Sequence, residues 1–120
     1  MSLEIISEEQ DIDSKLQLLP NQIEEKMNEV VESRKQWQLK KALYENKYQQ
    51  IVLSMKASDD SKTQSDLKAD AITGSHQERL DMILEESNYR KKLNELERLK
   101  NDLDTLKERS YNFRAHLKRF

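Results

Sequence analysis

From Ile23 onward the apolar and aromatic positions of the chain recur in alternating steps of four and three residues. They run Ile23, Met27, Val30, Trp37, Tyr44, Tyr48, Ile51 and Met55, with Arg34 and Lys41 filling the two intervening places. A mean step of 3.5 residues keeps one side of a helix turned toward a partner helix, which is the seam of a coiled coil. No glycine or proline interrupts residues 21–56, so the spacing predicts one helix about 54 Å long at ~1.5 Å per residue. Pro20 sits just ahead of it, where a helix start tolerates the missing N–H. A second run, Leu96, Leu99, Leu103, Leu106, Ser110, Phe113, Leu117 and Phe120, keeps the same period. Leu80, Ile83, Leu84, Tyr89 and Leu93 precede it in a less regular phase. The prediction here is a second long helix over 76–119.

Between the two periodic runs, residues 57–75 read as a connection. Ser58, Asp59, Asp60 and Ser61 form a polar cluster of the kind found in loops. Thr63 and Asp66 form a capping pair for a short helix over 64–73. Gly74 suits the left-handed position that closes a helix, and Ser75 with Glu78 forms a capping box for the next one. Residues 1–19 are acidic with scattered apolar positions; they read as an arm, or as a short helix over 8–18 capped by Ser7 and Gln10. The expected organisation is therefore an N-terminal segment, 1–19, followed by a helical hairpin, 20–120, all-α and antiparallel.

Charge sets the direction of the pairing. Residues 1–32 carry −7, residues 33–56 carry +5, residues 57–88 carry −5 and residues 89–120 carry +5, within a total of −2. Folding back at the connection places Glu24, Glu25, Glu29 and Glu32 alongside Arg109, Arg114, Lys118 and Arg119. It also brings Lys47 and Lys56 to Glu78, Asp81, Glu85 and Glu86. A parallel pairing would stack acid on acid. Opposite charges beside a seam fix orientation, although each exposed pair is worth only ~0.2–1 kcal/mol.

Composition narrows the function classes. Charged residues make up 37% of the 120 residues and hydrophobic ones 35%, with one glycine and one proline; the apolar supply suits a seam better than a thick core. Self-association, as a homo-oligomer, is the expected way to complete it. There is no cysteine, which excludes disulfides and thiolate metal sites. No apolar run reaches the roughly 18–20 residues of a membrane span, and no basic region followed by an apolar stretch opens the chain. A cytoplasmic protein with no membrane contact is the expectation. The histidines, His76 and His116, have no nucleophile or ligand at a telling spacing, and the carboxylate pairs Glu8–Glu9, Asp59–Asp60 and Glu85–Glu86 are sequence neighbours that diverge. Catalysis needs groups converging on one cleft, so no enzyme activity, cofactor, metal or small-molecule substrate is expected.

Two stretches carry candidate chemistry. Arg34 to Tyr48 interleaves Arg34, Lys35, Lys40, Lys41 and Lys47 with Trp37, Tyr44 and Tyr48, against one acid, Glu45. Single-stranded nucleic acid is bound by rings that stack on bases and cations that follow phosphates. The C-terminal run adds Arg114, Lys118 and Arg119 beside Tyr111, Phe113 and Phe120. In the structural reading the same rings are seam residues, Arg34 and Lys41 are polar seam positions that set register, and the basic C-terminus complements its own helix dipole.

The layout of these stretches, Glu32–Ile51 and Asn88–Phe120, the latter ending Arg-Ser-Tyr-Asn-Phe-Arg-Ala-His-Leu-Lys-Arg-Phe, resembles the small helical proteins of bacteriophage recombination modules, in particular the T4-type recombination mediator family. The resemblance covers most of the chain, rests on layout and not on a diagnostic motif, and transfers no functional residue. It implies an oligomer that binds single-stranded DNA, works with a recombination protein and acts in the host cytoplasm. The expected function is thus a non-catalytic helical accessory in nucleic-acid transactions, with a coiled-coil scaffold that binds only a protein partner as the alternative.

Overall fold

The computed structural model describes the backbone of residues 3–58 and 63–118 and the side chains of 8–57 and 63–118. Among the described residues three helices follow one another: α1 (Leu3–Ser58), α2 (Gln64–Gly74) and α3 (His76–Leu117). Long helices pack against each other in an all-α helical hairpin. The predicted loop residues Asp59, Asp60 and Ser61 lie outside the described residues, as do Arg119 and Phe120.

The N-terminal segment is not separate. α1 begins at Leu3 and runs without a break through Ser7 and past Pro20, which stands inside the helix and not at its start. A proline there removes one backbone hydrogen bond and crowds the carbonyl four residues back, at a cost of about 3 kcal/mol. The compensation is visible in the seam: Ile12 and Leu19 are buried and Leu16 and Ile23 half-buried, so an apolar side faces inward on both flanks of Pro20.

The chain divides into two packing units, residues 1–30 with 92–120 and residues 31–91. In the first, the α1 seam is Ile12, Leu16, Leu19, Ile23, Lys26 and Val30. It meets Lys92, Leu96, Leu99, Leu103, Leu106, Ser110, Phe113 and Leu117 of α3, all buried or half-buried. The α3 register therefore follows its sequence spacing. That of α1 does not in every turn: Met27 is exposed and Lys26 takes its place. Lys26 is tolerated there because its Nζ lies 2.6 Å from Glu29 and 2.8 Å from Glu95. Lys92 also reaches Glu29, at 3.6 Å, and Arg109 reaches Glu8, at 3.8 Å. The hairpin is antiparallel as expected, but its register differs. Glu29 faces Lys92 and not the basic C-terminal end, because α1 starts some eighteen residues earlier than the spacing suggests and Glu8 stands where Arg109 arrives.

In the second unit α1 presents Ser33, Trp37, Lys40, Tyr44, Tyr48, Ile51 and Met55, and α3 presents Glu78, Met82, Glu85 and Tyr89 as half-buried residues. Ser33 and Lys40 stand where Arg34 and Lys41 are expected; those two are exposed. Both alternatives share Trp37 and Tyr44 and differ by one position in between, and periodicity alone does not choose between adjacent flanks. α2 closes this unit with buried Leu67 and Ala71. Thr63 caps α2 as predicted, its hydroxyl accepting from the Asp66 N–H at 3.2 Å. The two other capping expectations are corrected. Gly74 is an ordinary last helical residue, with no positive φ at any described residue. Its missing side chain serves packing, since a Cβ there would lie 2.6 Å from Ile51 Cδ1. Ser75 is fully buried and its hydroxyl donates back to the Ala71 carbonyl, so the side chain ends α2, while only its backbone carbonyl joins α3, accepting from the Arg79 N–H at 3.0 Å.

Candidate interaction surface

The aromatic–basic stripe is built by the second unit. Trp37 lies against Tyr89 of α3, with ring centroids 5.5 Å apart and planes at 17°, a stacked pair. Tyr44 and Tyr48 contact each other at 6.3 Å, tilted at 57°. All three rings of α1 are half-buried. One face of Trp37 is therefore already used inside the protein, while Lys41 stands 5.9 Å from its centroid. The Trp37 Nε1–H is buried with no hydrogen-bond acceptor among the described residues. An orphan donor of this kind costs about 1–3 kcal/mol, which shape-matched packing of the ring must offset.

The cations are arranged differently from the rings. Arg34, Lys35, Lys41 and Lys47 are exposed and Lys40 is half-buried. None of the five forms an ion pair among the described residues. At the other end of the chain Arg114 and Lys118 are exposed and likewise make no ion pair; they belong to the first unit, whereas Arg34 to Tyr48 belongs to the second. Tyr111 is exposed, whereas Phe113 turns into the seam. The structure thus gathers Arg34, Lys35, Trp37, Lys40, Lys41, Tyr44, Lys47 and Tyr48 on one stretch of α1, with the rings and Lys40 leaning inward and the other four cations exposed.

Comparison with protein-family models, curated proteins and solved structures finds no match.

Sequence spacing gave no reason to single out a further set of residues. Leu39, Leu43, Leu53, Ile72, Leu80, Ile83 and Leu84 are all large, apolar and exposed, and all lie in the second unit. On α1 the signal was present as a second heptad series away from the seam: Leu39, Leu43, Asn46, Gln50, Leu53 and Ala57, in steps of four and three, every one exposed. On α3 it was the irregular phase of Leu80, Ile83 and Leu84, which the acids Glu78, Asp81, Glu85 and Glu86 displace from the half-buried side. Large apolar residues left exposed at helix-face spacing are of the kind that marks interaction sites.

Elsewhere, a groove of about 470 Å³ in the first unit is lined by Lys15, Leu18, Leu19, Gln22, Asp102, Thr105, Leu106 and Arg109. Its polar groups include no nucleophile paired with a base. Lys26 and Glu29, both in the seam network of that unit, have displaced pKa values. Hydrogen bonds to Glu29 and then to Glu95 raise Lys26 above its ordinary value, and the bond from Lys26 lowers Glu29. No group of three or more potential metal ligands occurs among the described residues, and no described helix is long and apolar enough to cross a membrane.

Proposed function

We propose that the chain is a non-catalytic helical scaffold that self-associates and works through protein contacts made by its second unit. The observation that carries this reading is the half-buried Trp37 stacked on Tyr89, with large apolar side chains left exposed on the outer sides of the same helices. Rings packed together hold two helices; the surface remaining for a partner is aliphatic. Aliphatic helix faces take up other helices.

A second reading keeps its own support. The exposed, ion-pair-free cations Arg34, Lys35, Lys41 and Lys47 are free to follow a phosphate backbone. On this reading the oligomer is an accessory in nucleic-acid transactions, binding single-stranded DNA alongside a recombination protein in the cytoplasm, as the likeness to phage recombination mediators implies.

A salt-titrated binding assay with single-stranded DNA separates the two. The nucleic-acid reading expects a slope of log affinity against log salt of about −0.7 per phosphate contact. It also expects Trp37→Ala to weaken binding by about 1–3 kcal/mol with the fold intact, and Lys40→Ala and Lys47→Ala to reduce the slope. The scaffold reading expects no binding even near 50 mM salt, and expects Trp37→Ala to lower the unfolding stability instead. Tight, salt-dependent binding that survives with a stable Trp37→Ala fold would overturn the scaffold as the leading function.

A further inference from the structure

We propose that the outward stripe of α1 in the second unit, Leu39–Leu43–Leu53, is the docking site for an acidic amphipathic helix of another protein. The inference rests on the scaffold reading and names the chemistry of its partner.

The spacing points to a helix as the occupant. Leu39, Leu43, Asn46, Gln50, Leu53 and Ala57 repeat in steps of four and three, and all six are exposed. They cover about five turns of α1. Their side of the helix differs from that of Trp37, Tyr44, Tyr48 and Ile51, which are half-buried. A helix with two heptad series accommodates a helical neighbour on each, and polar residues inside a series, here Asn46 and Gln50, fix its register. The same two residues argue against a lipid surface. An interfacial helix buries a wide apolar face, and here it would carry both amides into the acyl boundary. A groove of about 310 Å³ beside Gln50, lined also by Lys47, Ile51, Ser54 and Met55, leaves room for side chains of a helix laid along the stripe.

Charge specifies acidic flanks on that helix. Lys35 stands four residues before Leu39, Lys47 four after Leu43 and Lys56 three after Leu53, the spacings that make side chains neighbours on a helix surface. All three lysines are exposed, and none forms an ion pair among the described residues. The one acid between residues 33 and 57, Glu45, follows Leu43 by two residues and so falls on another side of α1. Opposite charges beside a seam select the partner and its orientation.

The chain itself does not carry the matching face among its described residues. A second copy of the stripe would set lysine against lysine. On α3 of the same unit Glu78, Asp81, Glu85 and Glu86 are half-buried. The exposed Leu80, Ile83 and Leu84 share their face instead with exposed bases, Arg79 four residues before Ile83 and Lys91 seven after Leu84. In the acidic first part of α1 the exposed large hydrophobics are Leu18, Met27 and Val31, of which only Met27 and Val31 stand a turn apart on one side. That is one turn of apolar surface against a stripe of about five. α2 and the rest of α3 add Ile72 and Tyr111 singly. The acids therefore come with a different protein.

Fluorescence anisotropy with the full chain and a labelled synthetic peptide tests the pairing. The peptide is about three to four heptads long, with leucine at its seam places except for one asparagine, and with glutamate on both flanks; its control carries lysine there. Wild-type protein is expected to bind the glutamate peptide at least about 10-fold tighter than the lysine peptide. Lys35→Glu, Lys47→Glu and Lys56→Glu together are expected to reverse that preference. Leu43→Ala with Leu53→Ala, at positions 47% and 65% exposed, is expected to weaken binding of the glutamate peptide at least about 30-fold, with helical circular dichroism retained. Equal binding of the two peptides by wild type, or leucine changes without effect, would sink the docking site and leave the scaffold reading standing. Phosphatidylglycerol vesicles that take up the chain through the same leucines, with no preference between peptides, would make a lipid surface the occupant in place of a helix. Single-stranded DNA that displaces the peptide, and is lost in the triple lysine variant, would overturn both this inference and the scaffold reading.

Discussion

Between Ile12 and Val30 the seam residues that α1 turns toward α3 are mostly aliphatic, and Leu96 and Leu106 opposite them are buried. The one lysine in that stretch of seam, Lys26, is held by Glu29 and Glu95. Between Ser33 and Met55 the same helix fills its seam mainly with rings and a lysine, facing Glu78, Glu85 and Tyr89. Of the eleven large hydrophobics exposed among the described residues, eight belong to this second unit. The first unit is nearer to closed: of its large hydrophobics only Leu18, Met27 and Tyr111 are exposed among the described residues, and Lys26, Lys92 and Arg109 pair with acids across the two helices. The second leaves both apolar area and charge available. One helix thus supports both behaviours, because the identity of the residues at each heptad place, and not the heptad itself, decides whether a seam is finished.

The contrast can be broken most directly by core truncation. Leu106→Ala, at a buried seam position of the first unit, is expected to cost about 2–5 kcal/mol of unfolding free energy. Leu39→Ala, exposed in the second unit, is expected to stay within ~0.5 kcal/mol in dilute solution, where no partner covers it. Chemical denaturation of both variants at low protein concentration measures the difference. Equal losses would mean the two units are packed alike.

A smaller effect sharpens the account of the aromatic seam. A double-mutant cycle of Trp37→Ala and Tyr89→Ala is expected to give a coupling of about 0.5–1.5 kcal/mol, the range for stacked rings. Trp37→Phe is expected to cost much less than Trp37→Ala, since a ring remains on Tyr89 and the indole N–H that finds no acceptor is removed. Zero coupling would place Trp37 away from Tyr89 in solution and return its ring to the candidate nucleic-acid stripe.

The seam of α3 from Leu96 to Leu117 was readable because leucine or phenylalanine occupied every heptad place but Ser110, each between polar neighbours. The α1 seam was readable at Ile23, Val30, Trp37, Tyr44, Tyr48, Ile51 and Met55, where the four-and-three spacing picks the residue turned inward even beside apolar neighbours such as Val31, Leu43 and Leu53. It was misplaced at Met27, where an apolar residue and the neighbouring Lys26 compete. There the decision belongs to Glu29 and Glu95, and Glu95 is 69 residues away in sequence. Pro20 misled for a similar reason. Its local signal favours a helix start, and only the inward side chains on both flanks of it show that α1 continues. Gly74 has the residue type of a left-handed cap, but its use depends on Ile51, which lies in another helix. The basic stretch of the candidate surface was legible as composition. Whether its rings faced outward was not, since that turns on the position of Tyr89.

The smallest expected effect concerns the charges that close the first unit. Glu29 is lowered from its ordinary pKa chiefly by the hydrogen bond from Lys26, with Lys92 adding to it. A carboxylate lowered in the folded state contributes stability that is fully present above its unfolded value of ~4.3 and is lost as pH falls through the folded value. Lys26 is raised, by Glu29 first and then Glu95; its contribution is present below the unfolded value of ~10.4 and is lost as pH rises through the folded one. The thermal midpoint of the wild-type chain should therefore fall as the pH drops below about 4, and Glu29→Gln should flatten that fall by removing the titrating group. At neutral pH the substitution should matter little, because Glu95 still holds Lys26 at 2.8 Å and exposed pairs are screened by solvent. A Glu29→Gln profile that runs parallel to wild type from pH 6 to pH 3 would show that this network does not bind its protons differently on folding. The closed character of the first unit would then rest on its leucines alone.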